Sequence, residues 1–172
     1  MFDINSKLKL VAIVAFLAIV GFTSNIVKAA DISSGDGDEN VVISIKTDPT
    51  KDPEPACVAL QIGMNLLMAP GGAAPADDVT VFLTTGGVEL INPDSIINKR
   101  KKPKLVCTTP DGINVASLPD LLTEFQGLGG NVMICPLCAT SRGITEPTTG
   151  EMGNGLTIHN LFLFADKVIS RS

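Results

Sequence analysis

The stretch SLPDLLTEFQGLGGNVMIC, residues 117–135, combines a punctuated helix with a short apolar strand. Ser117 suits a helix N-cap, Pro119 suits the first turn, and Gly129 with Gly130 marks the stop, so we predict a helix over 117–130. NVMIC, residues 131–135, is short, apolar and follows a turn, which predicts a strand whose last residue is Cys135. A helix followed directly by a buried strand is half of a βαβ unit.

Other segments repeat this alternation of strands and helices. VVISIKT at 41–47 and DVTVFLTT at 78–85 have the β-branched composition of buried strands. Apolar residues at three- and four-residue steps predict a helix over 54–69 between them. A short helix and a strand around 167–170 close the chain. This order predicts an α/β fold with a mostly parallel sheet covered by helices on both faces, a three-layer α/β/α arrangement.

The N-terminus has the pattern of a secretory signal. Lysines precede the apolar run LVAIVAFLAIVGF at 10–22, and a Val-Lys-Ala site follows at 27–29. We therefore predict a signal peptide over 1–29, a flexible acidic linker over 30–40 and one α/β domain over 41–172. The expected location is the periplasm or the exterior, and the alternative is an uncleaved membrane anchor with the domain outside the cytoplasm.

Composition excludes nucleic acid as a partner. The full chain has a net charge of −5 and contains neither Trp nor Tyr. Nucleic-acid binding needs positive charge to neutralise phosphates and aromatic surface on which bases stack. Loss of residues 1–29 removes three lysines and one aspartate, which makes the remaining chain more acidic.

The CxxC of Cys135 and Cys138 is the strongest chemical signal. A thiol between a strand end and a helical turn faces backbone N–H groups and the positive end of a helix, which favours the nucleophilic thiolate at Cys135. Arg142 would add a positive charge, although an arginine at this place equally suits a role in tying down the loop. Other strand-end residues are expected to line the same pocket, with Gly143 allowing a close backbone approach: Thr47, Asp48, Gly86 and Gly87.

The cysteine motif resembles that of the DsrE/DsrF family of sulfur-relay proteins, which includes TusD-type carriers. A strand ending in Cys135, a few small or apolar residues, then Arg-Gly-Ile at 142–144 carries the resemblance. Further segments agree in order and spacing across roughly residues 41–170: VVISIKT, VTVFLTTGGVEL, LLTEFQGLGGNVMIC and ADKVIS.

The resemblance implies a flavodoxin-like fold and a persulfide carried on Cys135. It implies a partner that donates or accepts sulfur, either a protein thiol or a small sulfane-sulfur compound. It also implies a homo-oligomer, such as a trimer or hexamer, or a hetero-oligomer of related subunits. Cys138 departs from the family pattern, because the better-known carriers often have a small apolar residue there.

Two alternative functions stay open at this stage. Cys135 and Cys138 could form the dithiol of a thiol-disulfide exchange protein, since CxxC thiols at a helix start can close a disulfide. The chain could instead be a non-catalytic accessory subunit of an oligomer, with the CxxC as a structural bridge.

The remaining cysteines predict neither a metal site nor a cofactor. A zinc site needs a second pair of ligands with short spacing, and the sequence contains none. Cys57 lies on an apolar helix face, so we expect a buried small hydrophobic residue there. Cys107 could be free or could pair with Cys57, and the sequence leaves both possibilities open.

Overall fold

The structure, a computed structural model, describes residues 39–68, 76, 78–99, 106–108 and 115–172. The predicted signal peptide lies outside the described residues, as does the predicted linker except for Glu39 and Asn40. No helix within the described part of the chain combines the length and the apolar character that crossing a membrane requires.

A five-stranded parallel sheet forms the centre of the fold. Its strands are β1 (Asn40–Ile45), β2 (Asp78–Leu83), β5 (Asn131–Ile134), β6 (Glu151–Met152) and β7 (Lys167–Arg171), in the spatial order β6-β5-β2-β1-β7. Every pairing in this sheet is parallel. Two short strands, β3 (Val106–Thr108) and β4 (Val115–Ser117), form a separate antiparallel pair.

The helices connect these strands. They are α1 (Glu54–Leu67), α2 (Ile96–Lys99), α3 (Leu118–Gly127), α4 (Pro136–Thr140) and α5 (Gly155–Leu163), and a 3-10 helix spans Thr85–Ile91. Ser117 caps α3 as predicted, because its hydroxyl accepts a hydrogen bond from the backbone N–H of Asp120.

Side chains of the central strands point alternately to two helical layers. Val41, Ile43 and Ile45 belong to the main core, which α1 and α3 cover. Val42 and Phe82 face the other way and pack against Leu161 of α5. The prediction of a three-layer α/β/α fold with a mostly parallel sheet is therefore confirmed.

Several predicted boundaries are displaced by a few residues. β1 begins at Asn40, inside the predicted linker, and ends two residues before Thr47. β2 ends at Leu83, because Thr84 and Thr85 leave the sheet and lead into the 3-10 helix. α1 ends at Leu67 and α3 at Gly127, both earlier than predicted.

A disulfide joins α1 to β3. Cys57 and Cys107 are bonded with a Cα–Cα distance of 5.5 Å, and they are 9% and 3% exposed. The expectation for Cys57 was therefore incomplete, because this residue is buried but is half of a cystine. The open question about Cys107 is settled in favour of pairing.

Candidate functional site

Cys135 and Cys138 lie where the central strand β5 ends. The backbone N–H of Cys135 donates to Leu83 O over 2.9 Å, which places Cys135 beside the end of β2. Cys135 is also the N-cap residue of α4, and Cys138 lies one turn further along that helix. Both thiols are free and partly buried, and each shifts the pKa of the other. The structure thus brings the two thiols of the CxxC together at one strand end.

Cys138 is the more acidic of the two thiols. Its burial raises the pKa, but hydrogen bonds with Cys135 and Thr84, a backbone hydrogen bond from Thr85 and the charge of Arg142 lower it, and the pKa falls below its ordinary value. The hydroxyl oxygen of Thr84 lies 3.4 Å from the sulfur of Cys138. The surroundings of Cys138 therefore favour the thiolate.

Cys135 has the opposite shift. Burial and the hydrogen bond to Cys138 raise its pKa above the ordinary value, and they outweigh a backbone hydrogen bond from Cys138. The expectation that Cys135 is the preferred thiolate is therefore wrong in direction. The helix after it has only five residues and starts with Pro136, which has no N–H, so its N-terminus contributes little.

Thr84 and Thr85 are site residues that sequence reasoning missed. Thr85 has φ +47°, an uncommon conformation for a β-branched residue. Its hydroxyl donates to Lys46 O over 2.6 Å, which ties it to the end of β1. This conformation starts the 3-10 helix and presents the Thr85 N–H to the sulfur of Cys138. The sequence feature that could have indicated these two site residues is the Gly86-Gly87 pair, which directly follows them.

Arg142 has two roles: it stabilises the loop and it lowers the pKa of the Cys138 thiol. Its Nη1 donates to Cys138 O over 3.4 Å, and its Nε lies 3.6 Å from Glu89 Oε1. The side chain of Arg142 is 32% exposed, so solvent weakens its charge effects. Its charge still helps to lower the pKa of Cys138 rather than that of Cys135.

The strand-end residues predicted to line a pocket form a scaffold at the same edge. Asp48 accepts hydrogen bonds from the backbone N–H and hydroxyl of Thr50 and so stabilises its own turn, which begins after Thr47. Gly86 packs on the backbone of Asp48, and a Cβ there would lie 2.6 Å from Asp48 N. Gly87 is packed even more closely, and a Cβ there would overlap Ile45 O. Substrate contact by these four residues stays a prediction.

Gly143 has a different role from the one expected. A Cβ on this residue would meet open space, so no close backbone approach requires glycine. Its φ of +69° lies in the left-handed region and ends α4, with Ile144 N donating back to Ala139 O. Gly143 therefore forms the turn that ends α4 after the CxxC.

The two thiols should differ in the pH at which they react. Because its pKa is lowered, Cys138 becomes a thiolate at lower pH than Cys135, and only thiolates alkylate rapidly. As pH is raised in steps with brief iodoacetamide pulses, peptide mass spectrometry should detect label on Cys138 first and on Cys135 at higher pH. Earlier labelling of Cys135 would contradict the assignment.

The described residues contain no group of three or more His, Cys, Asp or Glu side chains arranged to hold a metal ion. A scan against models of protein families finds no match. A search of curated proteins also finds no match.

Among solved structures, the chain is similar to the crystal structure of the YchN protein from E. coli. The TM-score is 0.57 at 20% sequence identity, and the match covers 77% of this chain and 98% of YchN. At this identity the similarity bears on the fold alone. Together with the parallel sheet and its helical layers, it supports a DsrE-like fold for this chain.

Proposed function

We propose that this protein is an extracytoplasmic sulfur-relay protein that carries sulfane sulfur as a persulfide on Cys135. The observation that carries the proposal is the contrast between its two cysteine pairs. Cys57 and Cys107 are buried as a disulfide, whereas Cys135 and Cys138 are free, partly exposed and located at the carboxyl end of a central parallel strand. Ligands of open α/β sheets bind at that edge.

The chemistry of loading needs only a thiol and a base. Cys135 would attack the outer sulfur of a donor persulfide, forming one S–S bond as the S–S bond of the donor breaks. The donor leaves as a thiol, so no net oxidation occurs. The proton of Cys135 ends on the departing donor sulfur, directly or through solvent, so loading requires no second protein group.

The exposed surface beside the thiols suits a partner protein. Leu137 lies between the two cysteines and is 80% exposed. It provides a contact for a partner that brings a donor or acceptor thiol to Cys135. Small sulfane-sulfur compounds are the alternative donors. Assembly into trimers, hexamers or hetero-oligomers is a further expectation from the family resemblance.

The location outside the cytoplasm has two independent supports. Disulfides persist in oxidising compartments, and the Cys57–Cys107 bond is part of the protein core. The signal pattern predicted over residues 1–29 agrees with export. Periplasmic or secreted protein would therefore hold this bond in its oxidised state.

Sulfur loading tests the proposal directly. After mild reduction of the CxxC, the Cys138→Ala protein should gain one sulfur atom on the Cys135 peptide when it is exposed to an alkyl persulfide, as read by mass spectrometry. The Cys135→Ser protein should gain none there. Cys138→Ala removes two interactions that raise the pKa of Cys135, so it preserves the proposed carrier. Absence of added sulfur on Cys135 in the Cys138→Ala protein would refute the proposal.

A second candidate is thiol-disulfide exchange through the same dithiol. It is favoured by the placement of both thiols at the start of one helix and by the lowered pKa of Cys138. This alternative predicts reversible oxidation of the CxxC by small disulfides and no sulfur uptake in Cys138→Ala. A third possibility is a non-catalytic accessory subunit of an oligomer with the CxxC as a structural bridge, and it predicts that Cys135 and Cys138 are isolated as a disulfide that takes up no sulfur.

A further inference from the structure

We infer that Cys138 is a second nucleophile, which discharges the persulfide on Cys135 by expelling hydrosulfide and leaving a Cys135–Cys138 disulfide. This inference rests on the proposed function and extends it. The protein would then be a sulfane-sulfur reductant that releases hydrosulfide once per cycle, rather than a carrier that only passes its sulfur on.

The position of Cys138 carries the inference. Cys135 is the N-cap residue of α4 and Cys138 lies in the first turn of that helix, so the inner sulfur of a Cys135 persulfide would be within reach of the Cys138 sulfur. α4 fixes this arrangement, because Ala139 N donates to Cys135 O over 3.0 Å and closes the turn that contains both cysteines. Attack within one helical turn is effectively unimolecular, which gives it a large advantage over any external thiol.

The donors around Cys138 are those that an attacking thiolate needs. Thr84 contributes a hydroxyl 3.4 Å from the sulfur, and Thr85 contributes a backbone N–H in a left-handed conformation. Arg142 adds positive charge while it holds the Cys138 carbonyl. A β-branched residue with positive φ is retained only where surrounding contacts enforce it, and here it presents an N–H to this sulfur. A bystander cysteine needs none of these interactions.

The discharge step balances without a further reactant. The thiolate of Cys138 attacks the inner sulfur of the Cys135 persulfide, the new bond joins Cys135 Sγ to Cys138 Sγ, and the bond from Cys135 Sγ to the outer sulfur breaks. The outer sulfur takes the electron pair of that bond and leaves as hydrosulfide. The two cysteines are oxidised by two electrons, and the sulfane sulfur is reduced by two. A dithiol reductant must then reopen the disulfide for another cycle.

Stoichiometric loading of the full-length protein tests this inference. The CxxC is reduced under conditions that leave Cys57–Cys107 oxidised, verified by mass, and one equivalent of an alkyl persulfide is added. Wild-type protein should release about one hydrosulfide per chain and end as the Cys135–Cys138 disulfide. Cys138→Ala should keep its sulfur and release hydrosulfide at least roughly 100-fold more slowly, because it lacks the intramolecular attack.

The outcomes separate the two proposals. If Cys138→Ala loads sulfur and wild type also retains a stable persulfide without releasing hydrosulfide, this inference is overturned and the carrier function stands. If Cys138→Ala takes up no sulfur on Cys135, the carrier function fails and the inference fails with it. Retention by Cys138→Ala together with a burst of hydrosulfide from wild type supports loading on Cys135 and its discharge by Cys138.

Thr84 is a positioning residue for the attack of Cys138 on the persulfide. The pH dependence of hydrosulfide release tests this role. Thr84→Val keeps the shape of the side chain but removes the hydroxyl that faces Cys138. The release of hydrosulfide should then require higher pH, with the profile displaced by roughly one pH unit, the effect of one hydrogen bond to a charged group. Thr123→Val is the control, because the Thr123 hydroxyl donates to Pro119 O on the exposed face of α3. Equal profiles for Thr84→Val and wild type would exclude this role for Thr84.

Discussion

Replacement of both Cys57 and Cys107 by alanine is expected to lower the free energy of unfolding by about 4 kcal/mol. The two residues are separated by 50 positions, so the bond removes a large loop-closure entropy from the unfolded chain. It also fastens the separate β3–β4 pair to α1, which packs directly on the sheet. Urea unfolding followed by circular dichroism measures the loss.

The CxxC provides the matched control for this measurement. Cys135→Ala with Cys138→Ala also removes two cysteines, but both are partly exposed and neither closes a loop. Its effect on the free energy of unfolding should stay within about 1 kcal/mol, as for substitutions outside the buried core. Similar losses in the two double variants would show that the Cys57–Cys107 bond contributes little beyond side-chain packing.

Gly87→Ala is expected to cost about 3 kcal/mol or more. A Cβ at this buried position would overlap the carbonyl oxygen of Ile45, and a backbone atom in a central strand cannot move aside as a flexible side chain can. The 3-10 helix would have to shift away from β1, and with it Thr84 and Thr85. We therefore expect lower stability by urea unfolding, and alkylation of Cys138 displaced to higher pH.

Gly127→Ala is the control for Gly87→Ala. Gly127 is the last residue of α3, and a Cβ there has no neighbour within 4 Å. Because alanine favours helix and restricts the unfolded chain, this change should be neutral or stabilising by up to about 1 kcal/mol. A Gly87→Ala protein as stable as Gly127→Ala would mean that the contact with Ile45 relaxes at little cost.

Local patterns were sufficient to predict the fold. Ser117 caps α3, and β1, β2 and β5 each contain a continuous run of strand-forming residues, as buried parallel strands do. The ends of these elements were harder to predict. Thr84 and Thr85 have high strand propensity, yet contacts with Lys46 and the close packing of Gly87 bend the chain into a 3-10 helix. Tertiary contacts overrode local preference at this point.

The sequence predicted where the candidate site lies, but not which of its two thiols has the lower pKa. The CxxC signal located the two cysteines at the end of β5. Which thiol is more acidic depends on Thr84 and on the Thr85 N–H, which come from a different strand end and are distant in sequence. The Cys57–Cys107 bond was unpredictable for the same reason, since spacing alone does not determine which cysteines meet.

The pairing of β1 with β7 has a consequence for how the protein folds. Val41 pairs with Lys167, so β1 acquires one of its two neighbouring strands only when nearly all of the chain has been synthesised. Pairing over such a distance slows folding, and until then β1 presents an open edge to other chains. Truncation before Lys167 should therefore promote aggregation during biosynthesis, even though it leaves the thiol pair in the chain.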